Sequence, residues 1–443
     1  MQRFIPAFAI VCATLGASSS QINADEATAN WPAWRGADGS GVAANADPPI
    51  TWSETENIRW KVPIPGKGHS TPIVWGNKIF VTTAIPVGPT FDPLPETAPG
   101  AHDNAPVTQR LKFAVIAIDR SNGKTIWQRD LHEAVPHEGA HFSGSHASQS
   151  PITDGKHIWA FFGSYGLYCL DIDGNPRWDV QLGTMNTKHG HGEGISPVLH
   201  GNILVVNWDH EGASFITARN KETGKEIWRG DREEVTSWST PLVVVHEGKA
   251  QLIVCGTEKV RSYDLQNGSI IWECGGLSHN IVASPVATNG LVIVGSSYEK
   301  RAMFAIKLDG ATGDITDTDQ VVWSRSERTP YVPSPLLYQD SLYFLRHYQG
   351  ILTRVDALTG EERTGPFRLG RLRDIYASPV GAANKIFFTD LDGATLVLST
   401  GEIPRFISVN QLDDSFSASP AIAGNEIFLR GKQFLYCIAK DTE

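Results

Sequence analysis

The segment His189-Gly190-His191-Gly192-Glu193 sets two imidazoles and a carboxylate within five residues, a donor set that zinc and other transition metals accept. It is one of several short polar stretches that each lead into a Ser/Thr- and Pro-containing step. In chain order these hold His69; His137, His141, Ser145 and His146; His189, His191 and Glu193; Trp238; His279 and Asn280; Tyr331; Arg371, Arg373, Asp374 and Tyr376; and Asp413, Asp414 and Phe416. Seven of the chain's 14 histidines fall in them. Three kinds of chemistry are open to such a set. His69, His146, His191 and Glu193 together could ligate a divalent metal. Trp238, Tyr331, Tyr376 and Phe416 could offer ring faces, with His189, His279, Arg371 and Asp374 as hydrogen-bonding groups, to a carbohydrate or peptide. The third reading leaves the histidines as solvated loop residues, which suits His132 and His157 best.

Covalent catalysis has no comparable support. The sequence has no Gly-x-Ser-x-Gly nucleophile elbow and no glycine-rich phosphate loop opening a helix. Its recurrent serines belong to a repeat and are accounted for by it. No Cys-x-x-Cys occurs, which removes zinc ribbons and covalent haem. Cys169 and Cys437 sit in matching Leu-Tyr-Cys contexts and read as buried strand residues. A Cys255–Cys274 disulfide stays open but is not favoured, since their strands should not be neighbours.

The repeat decides what positions these residues. A Ser-x-Pro or Ser-Pro step, an apolar run, a two-residue turn and a second apolar run recur at Ser70/Pro72, Ser150/Pro151, Ser196/Pro197, Ser239/Pro241, Ser284/Pro285, Ser334/Pro335, Ser378/Pro379 and Ser419/Pro420. After one long first interval the prolines lie 41 to 50 residues apart, the period of a four-stranded propeller blade. Gly76-Asn77, Asp154-Gly155 and Asn289-Gly290 have hairpin-turn chemistry. A second hairpin closes on an Ile-Trp strand at Trp127, Trp228 and Trp272. No helical period of apolar residues competes.

The eighth unit lacks its outer Trp-bearing strand, and Asn57-Ile58-Arg59-Trp60-Lys61-Val62 supplies a spare one ahead of the first unit. An all-β, eight-bladed propeller follows, closed by N- and C-terminal strands sharing the last blade, which leaves no free edge. In it, the loops before each step gather at one mouth of the central channel, joined by the loops between a blade's two hairpins. The longest of these is 85–109, carrying His102 and Asp103; a second is Asn207-Trp208-Asp209-His210-Glu211.

The net charge of −10 argues against a nucleic-acid partner. Met1-Gln2-Arg3 and the apolar run Phe4 to Ala17 read as an export signal too short to span a bilayer, with cleavage expected after Ala24 or within Ala17 to Ser20. Cys12 follows Ala9-Ile10-Val11, a poor lipoprotein signal. The expected layout is a signal peptide over 1–24, a lead-in over 25–56 and the propeller over 57–443.

Ile118-Asp119 through Trp127 and Thr223-Gly224-Lys225-Glu226-Ile227-Trp228 resemble the tryptophan-docking repeat of the pyrroloquinoline-quinone (PQQ) propellers, and the opening Trp31-Pro32-Ala33-Trp34-Arg35-Gly36 with Gly39-Ser40-Gly41 is similar to the start of the exported, BamB-like members of that group. The resemblance covers almost the whole mature chain and implies the fold. Quinoprotein dehydrogenases of that superfamily also carry an adjacent Cys-Cys disulfide, a calcium held by Glu and Asn or Asp, and an Asp base. No adjacent cysteines occur here. The reading is therefore a periplasmic or secreted, monomeric, non-catalytic binding propeller. Its expected partner is a protein, peptide or carbohydrate, and no cofactor is expected. The alternative is a metal- or PQQ-dependent enzyme using the same face.

Overall fold

The computed structural model describes residues 29–440; the expected signal peptide lies outside them. Eight blades of four antiparallel strands form the molecule. Blade 1 runs Ile73–Trp75, Lys78–Val87, Arg110–Asp119 and Thr125–Ala134 from the channel outward. Blade 8 runs Ala421–Ala423, Glu426–Arg430 and Phe434–Ile438, and takes Ile58–Pro63 as its outer strand, antiparallel with Trp60 opposite Cys437. The innermost strands of six of the eight neighbouring blade pairs touch, that of blade 8 meeting that of blade 1. Among the described residues the only helical turns are Gly163–Tyr165 and Lys188–Gly190.

The proline step acquires its meaning in three dimensions. In every blade the residue immediately before proline carries a hydroxyl, and seven of these accept the backbone N–H of the equivalent residue one blade earlier. The bonds run Thr71 N to Ser150 Oγ (2.9 Å), Ser150 to Ser196 (3.0 Å), Ser196 to Thr240 (3.1 Å), Thr240 to Ser284 (2.9 Å), Ser284 to Ser334 (3.0 Å), Ser334 to Ser378 (3.0 Å) and Ser378 to Ser419 (3.0 Å). Thr71 Oγ1 closes the circuit by donating to Ser419 O at 3.0 Å. In the first and fourth units the girdle uses Thr71 and Thr240 rather than Ser70 and Ser239. Adjacency to proline decides the position, because the residue before proline is confined to extended backbone.

The tryptophans tie the blades at the periphery. Trp60, Trp178, Trp228 and Trp323 each donate their indole N–H to a backbone carbonyl of the next blade, at Arg120, Lys221, Leu265 and Ala357, over 2.9–3.0 Å. Each ring lies flat on a turn glycine there, so that a Cβ on Gly123, Gly224, Gly268 or Gly360 would fall 2.5–2.7 Å from a neighbouring side-chain atom, an indole carbon in three of the four.

The lead-in crosses the channel mouth opposite the site loops. Trp31 bridges to Val74, Pro32 accepts from Thr153, the buried Arg35 donates to Pro335 O (2.8 Å), and Val42–Ala43 runs parallel to Val380–Ala382. Trp34 lines the channel there. Cys169, Cys255, Cys274 and Cys437 are buried free thiols. Val260 lies opposite both Cys255 and Cys274 on flanking strands, so a strand separates the two thiols.

Candidate functional site

Above the hydroxyl girdle the loops open into a cavity of about 500 Å³. One wall is imidazole. The long blade 1 loop, whose strand runs on to Val87 so that the loop spans 88–109 rather than the expected 85–109, is drawn over blades 2 and 3 by pairing of Asn104–Ala105 with Ala140–His141, by Phe142 N donating to Asp103 O (2.8 Å), and by Asn104 Nδ2 donating to His189 O (2.8 Å). This brings His102 against His189 and His191, at ring-centre distances of 4.7 and 4.9 Å, with His189 and His191 5.3 Å apart. His141 lies 4.9 Å from His191, and Trp238 lies 6.4 Å beyond it, anchored by its indole N–H to Gly192 O (2.8 Å).

The opposite wall is tyrosine. Tyr298 stacks near Tyr331 (5.6 Å), Tyr331 on His347 (4.5 Å), His347 against Tyr348 (4.3 Å) and Tyr348 on Tyr376 (5.4 Å), and Tyr376 returns to His141 (6.2 Å). Lys188 bridges to Glu299 at 3.4 Å, joining the residue beside His189 to the one beside Tyr298. Asn280 donates to Tyr331 Oη (3.2 Å), while its Oδ1 is buried without a partner. Asp103, His189, His347 and Asp374 hold left-handed backbone, φ 49–58°. Such strain collects where a scaffold has been bent to aim side chains.

A second layer lies beneath the imidazole wall. Glu193 accepts from Ser164 N (2.7 Å) and from its hydroxyl, and a Cβ on Gly163 would overlap the carboxylate. Burial pushes Glu193 up to about 8, so it is held largely protonated near neutrality. Desolvation also lowers His146 and His191 to about 4, and His69 to about 3. These rings are neutral at pH 7.

Of the residues singled out in the sequence, His69, His189, His191, Glu193, Trp238, Tyr331, Asp374 and Tyr376 line the cavity. His146 lies just below, edge-on to Tyr165 at 6.4 Å. The four-residue metal set does not converge: no three ligand atoms from His69, His146, His191 and Glu193 lie within 4.8 Å of one another. His69 and His146 come from two other loops than the one that carries His191 and Glu193, and Glu193 is spent on Ser164. His279 points elsewhere, to Glu258 at 2.9 Å on the outer surface. Arg371 is exposed off the cavity. Phe416 is fully buried in the core of blade 8, and Asp209 pairs with buried Arg232 at 2.7 Å. Tyr298, His347 and Tyr348 were not singled out in the sequence. They occupy the loops between the two hairpins of blades 5 and 6, so the rule that pointed to His102 also reaches them.

A family model described as outer membrane protein assembly factor BamB matches residues 38–212, 111–364 and 212–443. The chain belongs to the BamB-like, PQQ-repeat propeller family. A BamB-like relative from Francisella salina, outer membrane protein assembly factor BamB, is 26% identical over 115 residues, which is 26% of this chain and 20% of that protein's length. The crystal structure of BamB from Moraxella catarrhalis superposes with a TM-score of 0.52 at 14% identity, covering 80% of this chain and all of that one. Quinohemoprotein alcohol dehydrogenase from Comamonas testosteroni superposes at 0.62 and 9% identity, over 95% of this chain and 82% of that one. At these identities the structural likeness speaks for the fold alone.

Proposed function

We propose that this BamB-like propeller is an exported, non-catalytic binding protein whose funnel takes an uncharged, polyhydroxylated ligand, a carbohydrate segment. The observation that carries the reading is the funnel's lining. It is an arc of imidazole and phenol rings over a floor of serine and threonine hydroxyls, with no lysine or arginine among the lining residues. Aromatic faces and edges pack against sugar C–H groups, while phenol, imidazole and amide groups trade hydrogen bonds with hydroxyls. Asn280 Oδ1, buried and unpartnered, is an acceptor waiting for such a donor.

The same lining argues against PQQ. That quinone is a tricarboxylate, and no cationic side chain lines the cavity to receive it. The calcium that accompanies it wants anionic oxygen, which here would have to come from Asp103 and Asp374 of the lining, since the Glu193 carboxyl is committed to Ser164.

The test is a glycan array followed by titration calorimetry, with Tyr348→Ala and Trp238→Ala compared with wild type. A neutral oligosaccharide whose affinity drops at least tenfold in both variants supports the reading. Binding that survives both changes, or capture of peptides with no glycan bound, overturns it.

A further inference from the structure

The imidazole wall has an order that sugar binding does not require. His191 Nε2 lies 3.1 Å from His102 O, His102 Nδ1 lies 2.7 Å from Gly100 O, and His189 Nδ1 lies 3.3 Å from Pro99 O. A carbonyl can only accept, so each ring spends its N–H on the backbone. That leaves the lone pair on the other nitrogen: Nδ1 of His191 and Nε2 of His102 and His189. This is the arrangement in which ligand histidines are held, one nitrogen fixed by a backbone carbonyl and the other offered to the ion. His141 differs. Its Nδ1 accepts from Ser143 N at 3.3 Å, which puts its proton on Nε2.

Spacing agrees. With a nitrogen about 2 Å from zinc, an imidazole centre lies about 3.2 Å away, and two such rings at 90–110° are roughly 4.5–5.2 Å apart. The three observed separations are 4.7, 4.9 and 5.3 Å, with the rings tilted 60, 72 and 53° rather than stacked. As they stand, no three of the nitrogens are within 4.8 Å of one another, so an ion would be enclosed by rotation about the side-chain bonds. His102 is exposed at the rim, held there by its bond to Gly100 O and its contacts with His189 and His191, so closing on an ion would take a small adjustment of this ring. Two other groups do have converged ligand atoms. In the first, Asp154 with His157 and Glu222, the carboxylate is already paired with Lys221 at 2.7 Å. The second, His246 with Glu247 and Asp309, includes two exposed carboxylates and no cavity.

We infer that His102, His189 and His191 form a three-histidine site for a divalent transition metal of the zinc class, open to the funnel and with His141 at its edge. The site joins the blade 1 loop to blade 3, so the ion would also clamp that loop over the funnel.

The test is equilibrium dialysis of the mature protein against zinc alone, with metal content measured, and X-ray absorption on the loaded protein. Wild type should take up one zinc through nitrogen ligands. His102→Ala and His189→Ala should bind at least roughly a hundredfold more weakly, since losing even an outer-shell partner costs about 10–100-fold. His157→Ala should bind as wild type. His102→Ala removes an exposed ring, so its fold is retained, with circular dichroism as the check. No stoichiometric uptake by wild type, or uptake lost in His157→Ala and kept in His102→Ala, overturns the assignment. Zinc uptake without glycan binding would sink the carbohydrate reading alone.

Discussion

Replacing Ser284 with alanine isolates one link of the hydroxyl girdle. Ser284 Oγ accepts the Thr240 N–H at 2.9 Å, and both residues are buried, at 4% and 8% exposure. The substitution deletes an acceptor and little volume, leaving a peptide N–H inside the ring with nothing to bond. A buried donor left unpaired costs about 1–3 kcal/mol, and the small void adds little, so the expected loss is about 2 kcal/mol. Ser284→Thr keeps the hydroxyl. Threonine already fills the equivalent position at 71 and 240, so that variant should stay within about 0.5 kcal/mol of wild type. Urea unfolding gives the global value. Amide hydrogen exchange gives a local one, because Thr240 N–H should lose protection in Ser284→Ala and keep it in Ser284→Thr. Since the bond repeats around the ring, Ser196→Ala and Ser378→Ala should cost similar amounts. The reasoning is refuted if Ser284→Ala is neutral, or if Ser284→Thr loses as much as the alanine variant.

Gly268 has φ 76°, and a Cβ there would lie 2.5 Å from the Trp228 ring; Gly268→Ala should cost roughly 2–4 kcal/mol from backbone strain and overpacking, read by the shift in denaturation midpoint. Glu426 is buried and pairs with both Arg59 and Arg120, linking the shared blade to blade 1. Glu426→Ala removes the carboxylate from Arg59, which is partly solvated, and from Arg120, which keeps its bonds to the Ala29, Gly76 and Ala423 carbonyls, and should cost roughly 1–3 kcal/mol, seen as loss of protection in the strand 58–63. Glu193, raised by burial to about 8, holds more protons folded than unfolded between about 4.5 and 8, so its contribution to stability falls as pH rises through that window. Glu193→Gln should flatten the alkaline side of the stability profile. His146, lowered to about 4 by burial, acts in the opposite sense: its contribution is present above the unfolded value near 6.5 and is lost as pH falls towards 4. His146→Gln should lessen acid lability, and a midpoint-versus-pH series on both variants checks the two signs.

Much of the molecule was legible in its residues. Eight proline steps at blade spacing, hairpin turns such as Gly76-Asn77, and the unpartnered strand around Trp60 specify both blade number and closure. Each is a local signal, and the repeat writes it eight times. The girdle was visible only as a recurrent serine, and its true members at Thr71 and Thr240 emerge once the hydroxyls are seen to point into the neighbouring blade. Site residues were legible by loop and not by side chain. His189, His191, Trp238, Tyr331 and Tyr376 reach the funnel, whereas Phe416 turns into the core and His279 turns out to Glu258, because loop residues have no periodicity to declare their direction.

Sequence alone thus determined the blades, their order, the closing strand and the rim on which polar loops would gather, since all of these follow from short-range patterning and the need to leave no edge unpaired. Tertiary structure decided which imidazoles meet. His102 is more than 80 residues from His189 and His191, and only the folding of the 88–109 loop over its neighbours, bonded through Asp103 O and the Asn104 side chain, brings them into contact. The same proximity decides charge. Glu193 and His146 look like ordinary ionisable residues in the chain, and burial between blades makes both neutral.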